Sequence, residues 1–321
     1  MKNHVCGVVA ALALIAAGQA WSQKYPTRPI RIIVPFTAGS QTDVFARIIA
    51  PKMAEYWGQQ VVVDNRPSAG GIVAGTIISG AAPDGYTLML TSSAYAVSAS
   101  IYSKLPYDPL KDIDGVAKFA SVALVLVVSP KLGVKSVKEL IALAKQKPGQ
   151  INFGSAGIGS ATHMGGEQFK YIAKLDVVHI PYRGTPEALV DTVTGRIQYW
   201  FSPLGPAVPF VQDGRLLALA VTTAQRSPLF PNAPTIAEAA IPGFDYDPWY
   251  AVFTAAKTPR PVVNQINKEL ARVLALPDVK ERMQFQGAVL GVTTPEEFAK
   301  LLRNDIATLK KIAQAANVRI D

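Results

Sequence analysis

Two loops rich in Gly, Ser and Thr constrain the fold of this chain more than any other feature, because each joins an apolar strand to the start of a helix. The first loop spans 35–43 and follows a strand pattern that begins at Arg28. The second spans 154–163 and follows the short strand 151–153. Ligands of open α/β sheets bind at this strand-to-helix end. The sequence therefore predicts two α/β lobes, each presenting one loop to a ligand.

Strand and helix patterns alternate before residue 93 and again from 151 to 201, which predicts parallel sheets with right-handed crossovers. Pro51 lies inside the first predicted helix and is expected to kink or split it. No linker rich in Pro, Gly or Ser separates the two rounds, so we expect the chain to cross between lobes inside strands, near Ser121 and near Trp249. The predicted first lobe covers 24–122 and 250–321, the second covers 123–249, and a ligand cleft lies between them.

The N-terminus has the pattern of a secretory signal peptide, predicted here as residues 1–20. A polar head with Lys2 precedes an uncharged apolar run, and Gly18 and Ala20 provide small residues before the expected cut, which lies between Ala20 and Lys24. The run is shorter than the roughly 20 apolar residues that a membrane anchor needs. The only cysteine, Cys6, lies in the segment to be removed, so the mature chain is expected to lack thiols and disulfides.

The charge balance predicts a small anionic partner. The formal net charge is +9, and a basic protein attracts anions. Lys and Arg are scattered along the chain, and no helix-turn-helix or zinc motif is present, so we do not expect nucleic acid binding. The glycines of the second loop are spaced G-x-x-G-x-G rather than G-x-G-x-x-G, which argues against a dinucleotide.

Sequence motifs of common enzymes are missing. There is no G-x-S-x-G elbow, and no cysteine nucleophile would remain after cleavage. His163 and Glu167 share a helix face, but the pattern offers no third metal ligand. We therefore predict a binding protein without catalytic activity, cofactor or metal, and we expect a monomer.

The candidate ligand-binding residues come mainly from the two loops, where hydroxyl groups and the unpaired N–H groups of a helix start suit a carboxylate. Asp43 has a second interpretation as a helix cap. The predicted set comprises Phe36, Thr37, Ala38, Gly39, Ser40 and Asp43 in the first loop, Ser92 at the end of a strand, and Ser155, Gly157, Gly159, Ser160 and His163 in the second loop.

Several motifs inside and outside these loops resemble the Bug family, the solute-binding proteins of tripartite tricarboxylate transporters. They are Tyr25-Pro-x-Arg-Pro-Ile-Arg, Val34-Pro-Phe-x-Ala-Gly with Asp43, Val63-Asp-Asn-Arg-Pro, Pro83-Asp-Gly-Tyr, Gly157-x-Gly-Ser-x-x-His and Pro181-Tyr-x-Gly. The resemblance implies an α/β periplasmic-binding-protein (Venus flytrap) fold with two hinge-joined lobes. It also implies a periplasmic location, ligand carboxylates held by the two loops, and delivery of the ligand to membrane subunits of a transporter.

Two departures from the family pattern narrow the expected ligand. The first loop usually ends Gly-Gly and here ends Gly39-Ser40, while Ser202 stands where the family often has an aspartate that could hold an amino group. We therefore expect a ligand without an amino group. Tyr246 and Trp249 are expected to face the cleft and to stack on a planar ligand. An aromatic dicarboxylate such as terephthalate is favoured, with citrate-like acids, aliphatic dicarboxylates, or ligand presentation to a sensor kinase as alternatives.

Overall fold

Two mixed β-sheets organise the computed structural model, which describes residues 25–315; the predicted signal peptide lies outside the described residues. The elements along the chain are β1 (Ile30–Val34), α1 (Gln41–Trp57), β2 (Val61–Asn65), α2 (Ile72–Ser79), β3 (Thr87–Ser92), α3 (Ala94–Ile101), β4 (Ile113–Val122), β5 (Leu124–Val128), α4 (Val137–Gln146), β6 (Asn152–Ser155), α5 (Ala161–Ala173), β7 (Val178–Pro181), α6 (Thr185–Thr194), β8 (Tyr199–Pro203), α7 (Leu204–Gln212), β9 (Leu217–Val221), α8 (Ile236–Ala239), β10 (Trp249–Ala255), α9 (Arg260–Leu274), α10 (Pro277–Phe285), β11 (Ala288–Leu290) and α11 (Pro295–Ala315). Short 3₁₀ turns cover Ala69–Gly71 and Pro130–Leu132.

The six-stranded sheet has the order β11-β4-β10-β3-β1-β2, and the five-stranded sheet has the order β7-β6-β8-β5-β9. We call the parts built on these sheets lobe 1 and lobe 2. The chain leaves lobe 1 at the end of β4 and enters lobe 2 with β5, with only Ala123 between the two strands. It returns to lobe 1 at the start of β10.

The parallel pairing predicted for the two alternating stretches is confirmed, whereas the strands that enter a lobe from the cleft are antiparallel to their neighbours. Strands β1, β2 and β3 pair in parallel, as do β6, β7 and β8. In contrast, β10 is antiparallel to β3 and β4, and β5 is antiparallel to β8 and β9. The carboxyl ends of β1, β3, β6 and β8 point toward the cleft, so a strand arriving from the other lobe must run the opposite way.

Buried apolar strands form the centre of each lobe. Every residue of β5 and of β10 is buried, as expected for strands covered by helices on both faces of a sheet. The aromatic ring of Phe45 on α1 contacts Tyr250 of β10 edge-on, with ring centroids 4.9 Å apart. This packing fixes α1, and the loop that precedes it, against the middle of the lobe 1 sheet.

The helix that contains Pro51 is continuous from Gln41 to Trp57, so Pro51 does not split it. A proline removes the hydrogen bond to the carbonyl four residues earlier. Pro51 is solvent-exposed, so water can bind the freed carbonyl of Arg47.

Helices α3 and α7 and strand β11 were not predicted from the sequence. Among residues 25–315, no helix combines the length and apolar character needed to cross a bilayer.

Candidate functional site

The first loop connects β1 to α1 and is held in shape by the buried carboxylate of Asp43. Its Oδ2 accepts the Gly39 N–H at 2.9 Å, and its Oδ1 accepts the Asn65 amide at 2.9 Å. Nε of Arg47 donates to both carboxylate oxygens, and the Asn65 amide also donates to the Phe36 carbonyl. Burial alone raises the pKa of Asp43, but the hydrogen bonds outweigh it and hold this pKa below its usual value.

These contacts define the role of Asp43. Its oxygens are committed to the loop backbone and to neighbouring side chains, so it shapes the loop that surrounds the helix start. Gly39 adopts a φ of +80° within this loop, a left-handed conformation that glycine takes without steric cost. Asp43 therefore acts on a ligand indirectly, by fixing where the backbone N–H groups lie.

The second loop connects β6 to α5 and is held by hydroxyl groups and histidines. The Gly157 N–H donates to Ser155 Oγ at 3.1 Å, and this oxygen lies 2.6 Å from His179 Nε2. The Gly159 N–H donates to His163 Nδ1 at 3.2 Å, so in the neutral ring the proton lies on Nε2. The Ala156 N–H also donates to Thr162 Oγ1 and the Ser160 N–H to the Gly157 carbonyl, so four backbone N–H groups of this loop are satisfied by the protein itself.

The two histidines stack on each other, with ring centroids 4.1 Å apart. His179 also stacks on Phe153, which in turn stacks on Tyr199. Burial lowers the pKa of His163 to about 4 and, together with the neighbouring His163, lowers that of His179 to about 3. Both rings are therefore neutral at pH 7, and the second loop carries no histidine charge.

The helix starts that follow the two loops differ in capping. Ser160 caps α5, and its Oγ accepts the His163 N–H at 3.1 Å. The corresponding Ser40 of α1 makes no side-chain cap bond, so α1 leaves open one N–H group that α5 has capped, in addition to the open N–H groups at the first two positions of each helix. The open end of α1 therefore has the greater capacity to bind an anion.

The two lobes touch each other beside these loops. In lobe 2, Gly184 is the residue before α6, and a Cβ added there would lie 1.9 Å from Thr37 Oγ1 and 2.7 Å from Ser40 Oγ of lobe 1. The N–H of Thr185 donates to Ser40 Oγ at 3.4 Å, and the Thr37 hydroxyl donates to Glu187 at 3.4 Å. The hydroxyl that distinguishes Ser40 from the usual glycine is thus directed at the opposite lobe.

A second contact between the lobes lies at Gly159. A Cβ at this position would lie 2.9 Å from Ser98 Oγ and 3.3 Å from the Gly70 Cα of lobe 1. The Ser98 hydroxyl donates to the Gly70 carbonyl at 2.7 Å. Both polar loops therefore reach the facing lobe, which is the arrangement of a closed cleft.

The family model for the tripartite tricarboxylate transporter family receptor matches residues 45–318. The chain belongs to this family. The Bordetella pertussis protein BugT is 36% identical to the receptor over 304 residues, which cover 94% of this chain and 93% of BugT.

Solved structures extend the likeness to the fold. The Rhodopseudomonas palustris protein Rpa4515 with adipate matches with a TM-score of 0.88 at 33% identity, covering 92% of this chain and 99% of that one. The protein MatC from the same organism, with bound malate, matches with a TM-score of 0.85 at 30% identity, covering 90% and 99%. The predicted two-lobed α/β fold is confirmed, and both family and fold are those of solute-binding receptors rather than enzymes.

Four predicted site residues lie outside the two loops, and each has different neighbours; they are Ser92, Ser202, Tyr246 and Trp249. The Tyr246 hydroxyl donates to the Ala161 carbonyl at 2.9 Å, so its ring lies beside the start of α5. Ser92 Oγ accepts the Ala94 N–H at 3.3 Å, close to where β10 returns to lobe 1. Ser202 is fully buried, and its hydroxyl donates to the Pro203 carbonyl at 2.9 Å.

Trp249 does not have the placement that the sequence suggested. Its indole N–H donates to Asp305 of α11 at 2.7 Å, and its ring packs edge-on against Phe298. Side chains alternate between the two faces of β10, and Trp249 lies on the face covered by α11, whereas Tyr250 packs against α1. The indole therefore belongs to the core of lobe 1.

Two polar residues near the cleft were missed by sequence reasoning. Gln41, the first residue of α1, is 2% exposed, and neither amide atom has a hydrogen-bond partner within the described part of the chain. The buried Ser93 lies beside Tyr246, and the Ser93 N–H donates to the Trp249 carbonyl where the strands cross. The sequence feature that could have identified Gln41 is a polar side chain at the first position of the helix that follows the loop.

Residues 25–315 contain no cluster of His, Cys, Asp or Glu that could hold a metal ion.

Proposed function

We propose that the receptor binds a small dicarboxylate between the two loops in the periplasm and delivers it to the membrane subunits of a tripartite transporter. The observation that carries this proposal is the uncapped start of α1, where free N–H groups adjoin the unpartnered amide of Gln41. A buried polar side chain without a partner is costly unless a guest satisfies it. A carboxylate accepts hydrogen bonds from both the backbone and the Gln41 amide.

The expected interaction free energies are sufficient for tight binding of a dicarboxylate. Each helix terminus stabilises an anion by about 0.3–2 kcal/mol, and each hydrogen bond to a charged group contributes about 1.5–3 kcal/mol. Four such bonds and two helix termini give roughly 7–16 kcal/mol before the ordering costs. A micromolar dissociation constant requires only about 8 kcal/mol, so arginine side chains in the loops are not needed.

Both the relatives and the site support a dicarboxylate as the ligand class. Solved relatives carry adipate and malate, which are dicarboxylates. Ser202 offers no carboxylate to offset the charge of an amino group, which supports a simple acid over an amino acid. An aromatic dicarboxylate such as terephthalate is the favoured ligand because the Tyr246 ring stands beside α5. Aliphatic dicarboxylates are the second candidate, favoured by the placement of Trp249 in the core.

A thermal-shift screen of the mature protein tests this proposal. The panel contains terephthalate, adipate, malate, citrate and glutamate. A ligand at 100 times its dissociation constant adds about 2.7 kcal/mol of stability. A shift with terephthalate and none with glutamate supports the aromatic assignment. A shift with adipate or malate alone keeps the dicarboxylate site and rejects the aromatic ligand, and no shift with any acid rejects the proposal.

The variant Gln41→Leu tests the site itself. Calorimetry with the best ligand should show binding weakened about tenfold or more, because one hydrogen bond to a carboxylate contributes about 1.5–3 kcal/mol. Gln284→Leu, at an exposed position of α10, is the matched control and should bind like the wild type. Equal affinity in both variants would remove Gln41 from the site.

A further inference from the structure

Six exposed lysines lie at the end of lobe 2 that faces away from the cleft. Strand β5 ends on this side and β6 begins there, so α4, which connects them, and the turns before and after it lie there too. The turn after α4 meets the segment after α5, because the Gly149 N–H donates to the Asp176 carbonyl at 2.9 Å. We call this region the lysine surface, and its lysines are Lys131, Lys135, Lys138, Lys145, Lys147 and Lys174.

The lysine surface differs from the other cations of lobe 2 in having no ion pairs. Residues 123–249 contain 11 basic side chains. Of the five outside the lysine surface, four form ion pairs with N–O distances of 2.8–3.7 Å. None of the six lysines forms an ion pair with another residue of 25–315, so their charges face solvent.

Few carboxylates offset this charge at the same end of the lobe. Those outside the ion pairs are Glu139 and Asp176. Oε2 of Glu139 accepts the Lys135 N–H at 2.8 Å at the start of α4. Six lysines and two carboxylates leave a net charge of +4 on this surface. Because it lies at the far end of the lobe, this charge does not serve the ligand in the cleft.

Two large apolar side chains are exposed beside the lysines. Tyr171 is 63% exposed and Ile172 is 42% exposed, and both lie in the last turn of α5, just before Lys174. Tyrosine is enriched where proteins meet the interface between membrane and water. Peripheral attachment to a membrane combines basic side chains with apolar contacts of this kind.

The composition of the surface favours a lipid partner over a protein. Protein interfaces are depleted in Lys and depend on central clusters of aromatic residues and Arg. Here all six unpaired cations are lysines, which are flexible point charges rather than the planar fork of Arg used in precise recognition. A bilayer with anionic headgroups attracts lysines without requiring a fixed geometry.

We infer that the lysine surface binds an anionic phospholipid bilayer and holds the receptor at the membrane by the far end of lobe 2. The ammonium groups contact lipid phosphates, and Tyr171 and Ile172 enter the headgroup region. Each lysine near such a surface strengthens binding about fivefold, so attachment is reversible. The surface belongs to lobe 2 alone, which leaves lobe 1 free to open and close.

Co-sedimentation of the mature protein with lipid vesicles tests this inference. One set of vesicles contains phosphatidylcholine alone, and the other also contains anionic phosphatidylglycerol. We expect binding to the anionic vesicles only. Raising the salt from about 0.1 M to about 1 M should abolish it, because the Debye length falls from about 10 Å to about 3 Å. Dicarboxylate binding is measured separately by calorimetry without vesicles, so failure of this inference and failure of the proposed function are distinguishable.

A double variant locates the binding. Lys138→Gln with Lys145→Gln removes two exposed charges two turns apart on α4, and Gln has a helix propensity close to that of Lys. Binding to anionic vesicles should weaken roughly 25-fold. The matched control, Lys268→Gln with Lys300→Gln, removes the same charge from exposed positions of α9 and α11 in lobe 1. It should weaken binding less than about threefold, because these charges lie more than a Debye length from the bilayer.

Several results would overturn the inference. Equal weakening in both double variants would assign the binding to overall charge rather than to the lysine surface. Equal binding to neutral and anionic vesicles, or binding that survives high salt, would exclude an electrostatic contact. Retention on immobilised polyglutamate without binding to vesicles would assign the surface to an acidic polypeptide instead.

Discussion

Replacing Gly184 by alanine should weaken ligand binding while leaving the protein folded. Gly184 has an extended backbone with φ of −175°, which alanine adopts without strain. The added methyl group would lie 1.9 Å from Thr37 Oγ1 and 2.7 Å from Ser40 Oγ. Both oxygens belong to lobe 1, so the clash arises only when the lobes are closed. The lobes must then separate slightly, and the packing inside each lobe is unchanged.

The expected size of the effect follows from the contacts that are lost. Separation breaks the hydrogen bond from the Thr185 N–H to Ser40 and that from the Thr37 hydroxyl to Glu187, both 3.4 Å long. Each contributes about 1 kcal/mol net. A loss of about 2 kcal/mol corresponds to roughly 30-fold weaker binding, because each 1.4 kcal/mol changes affinity about tenfold.

Calorimetry with the best carboxylate ligand measures the affinity, and urea denaturation measures the free energy of unfolding. The matched control is Gly291→Ala, where the new Cβ meets nothing within 4 Å; both properties should equal those of the wild type. In the Gly184→Ala variant the free energy of unfolding without ligand should change by less than about 0.5 kcal/mol. Adding Thr37→Ala removes the closest atom and should restore part of the affinity.

Two results would refute this reasoning. Wild-type affinity in Gly184→Ala would mean that the ligand-bound receptor does not use the contact between Gly184 and the first loop. A loss of several kcal/mol in unfolding free energy would mean that the glycine serves the packing of lobe 2 rather than closure. Small-angle scattering with saturating ligand distinguishes an incompletely closed variant from a fully closed one.

Three further predictions concern stability. As the pH falls from about 6.5 toward 4, the free energy of unfolding measured by urea titration should decrease. Burial lowers the pKa of His163 to about 4 and of His179 to about 3, so the unfolded chain binds protons in this range that the folded chain does not. If the unfolding free energy of His179→Phe changed with pH as steeply as that of the wild type, this prediction would be wrong. Asp43→Ala should cost about 2 kcal/mol and weaken ligand binding, because the Gly39 N–H loses its acceptor; unaltered affinity by calorimetry would count against its role in the loop. Ser136→Ala should cost about 1 kcal/mol by loss of the α4 cap and leave affinity unchanged, since α4 begins at the end of lobe 2 away from the cleft.

Local chemistry in the sequence determined the two loops, the helix starts and the buried strands. The helix starts after Ser40 and Ser160 and the cap at Ser136 follow from residues within one turn of each other. The apolar run of β5 predicts full burial in the same way, because it offers no polar face. The family motifs occupy these local segments too, which is why the family was recognisable before the fold was known.

Only the tertiary structure decided how the segments meet. The direction of β10, the contact of Gly184 with Thr37, and the placement of Trp249 against α11 all depend on residues more than 50 positions apart. Residue types alone did not reveal that Asp43 would be committed to Gly39 and Asn65, or that Gln41 would be buried without a partner. The physical reason is that a hydrogen bond or a steric clash depends on the distance between two groups in space. The crossing of the chain between the two lobes brings together residues that are far apart in the sequence, and the local pattern around one residue gives no information about the other.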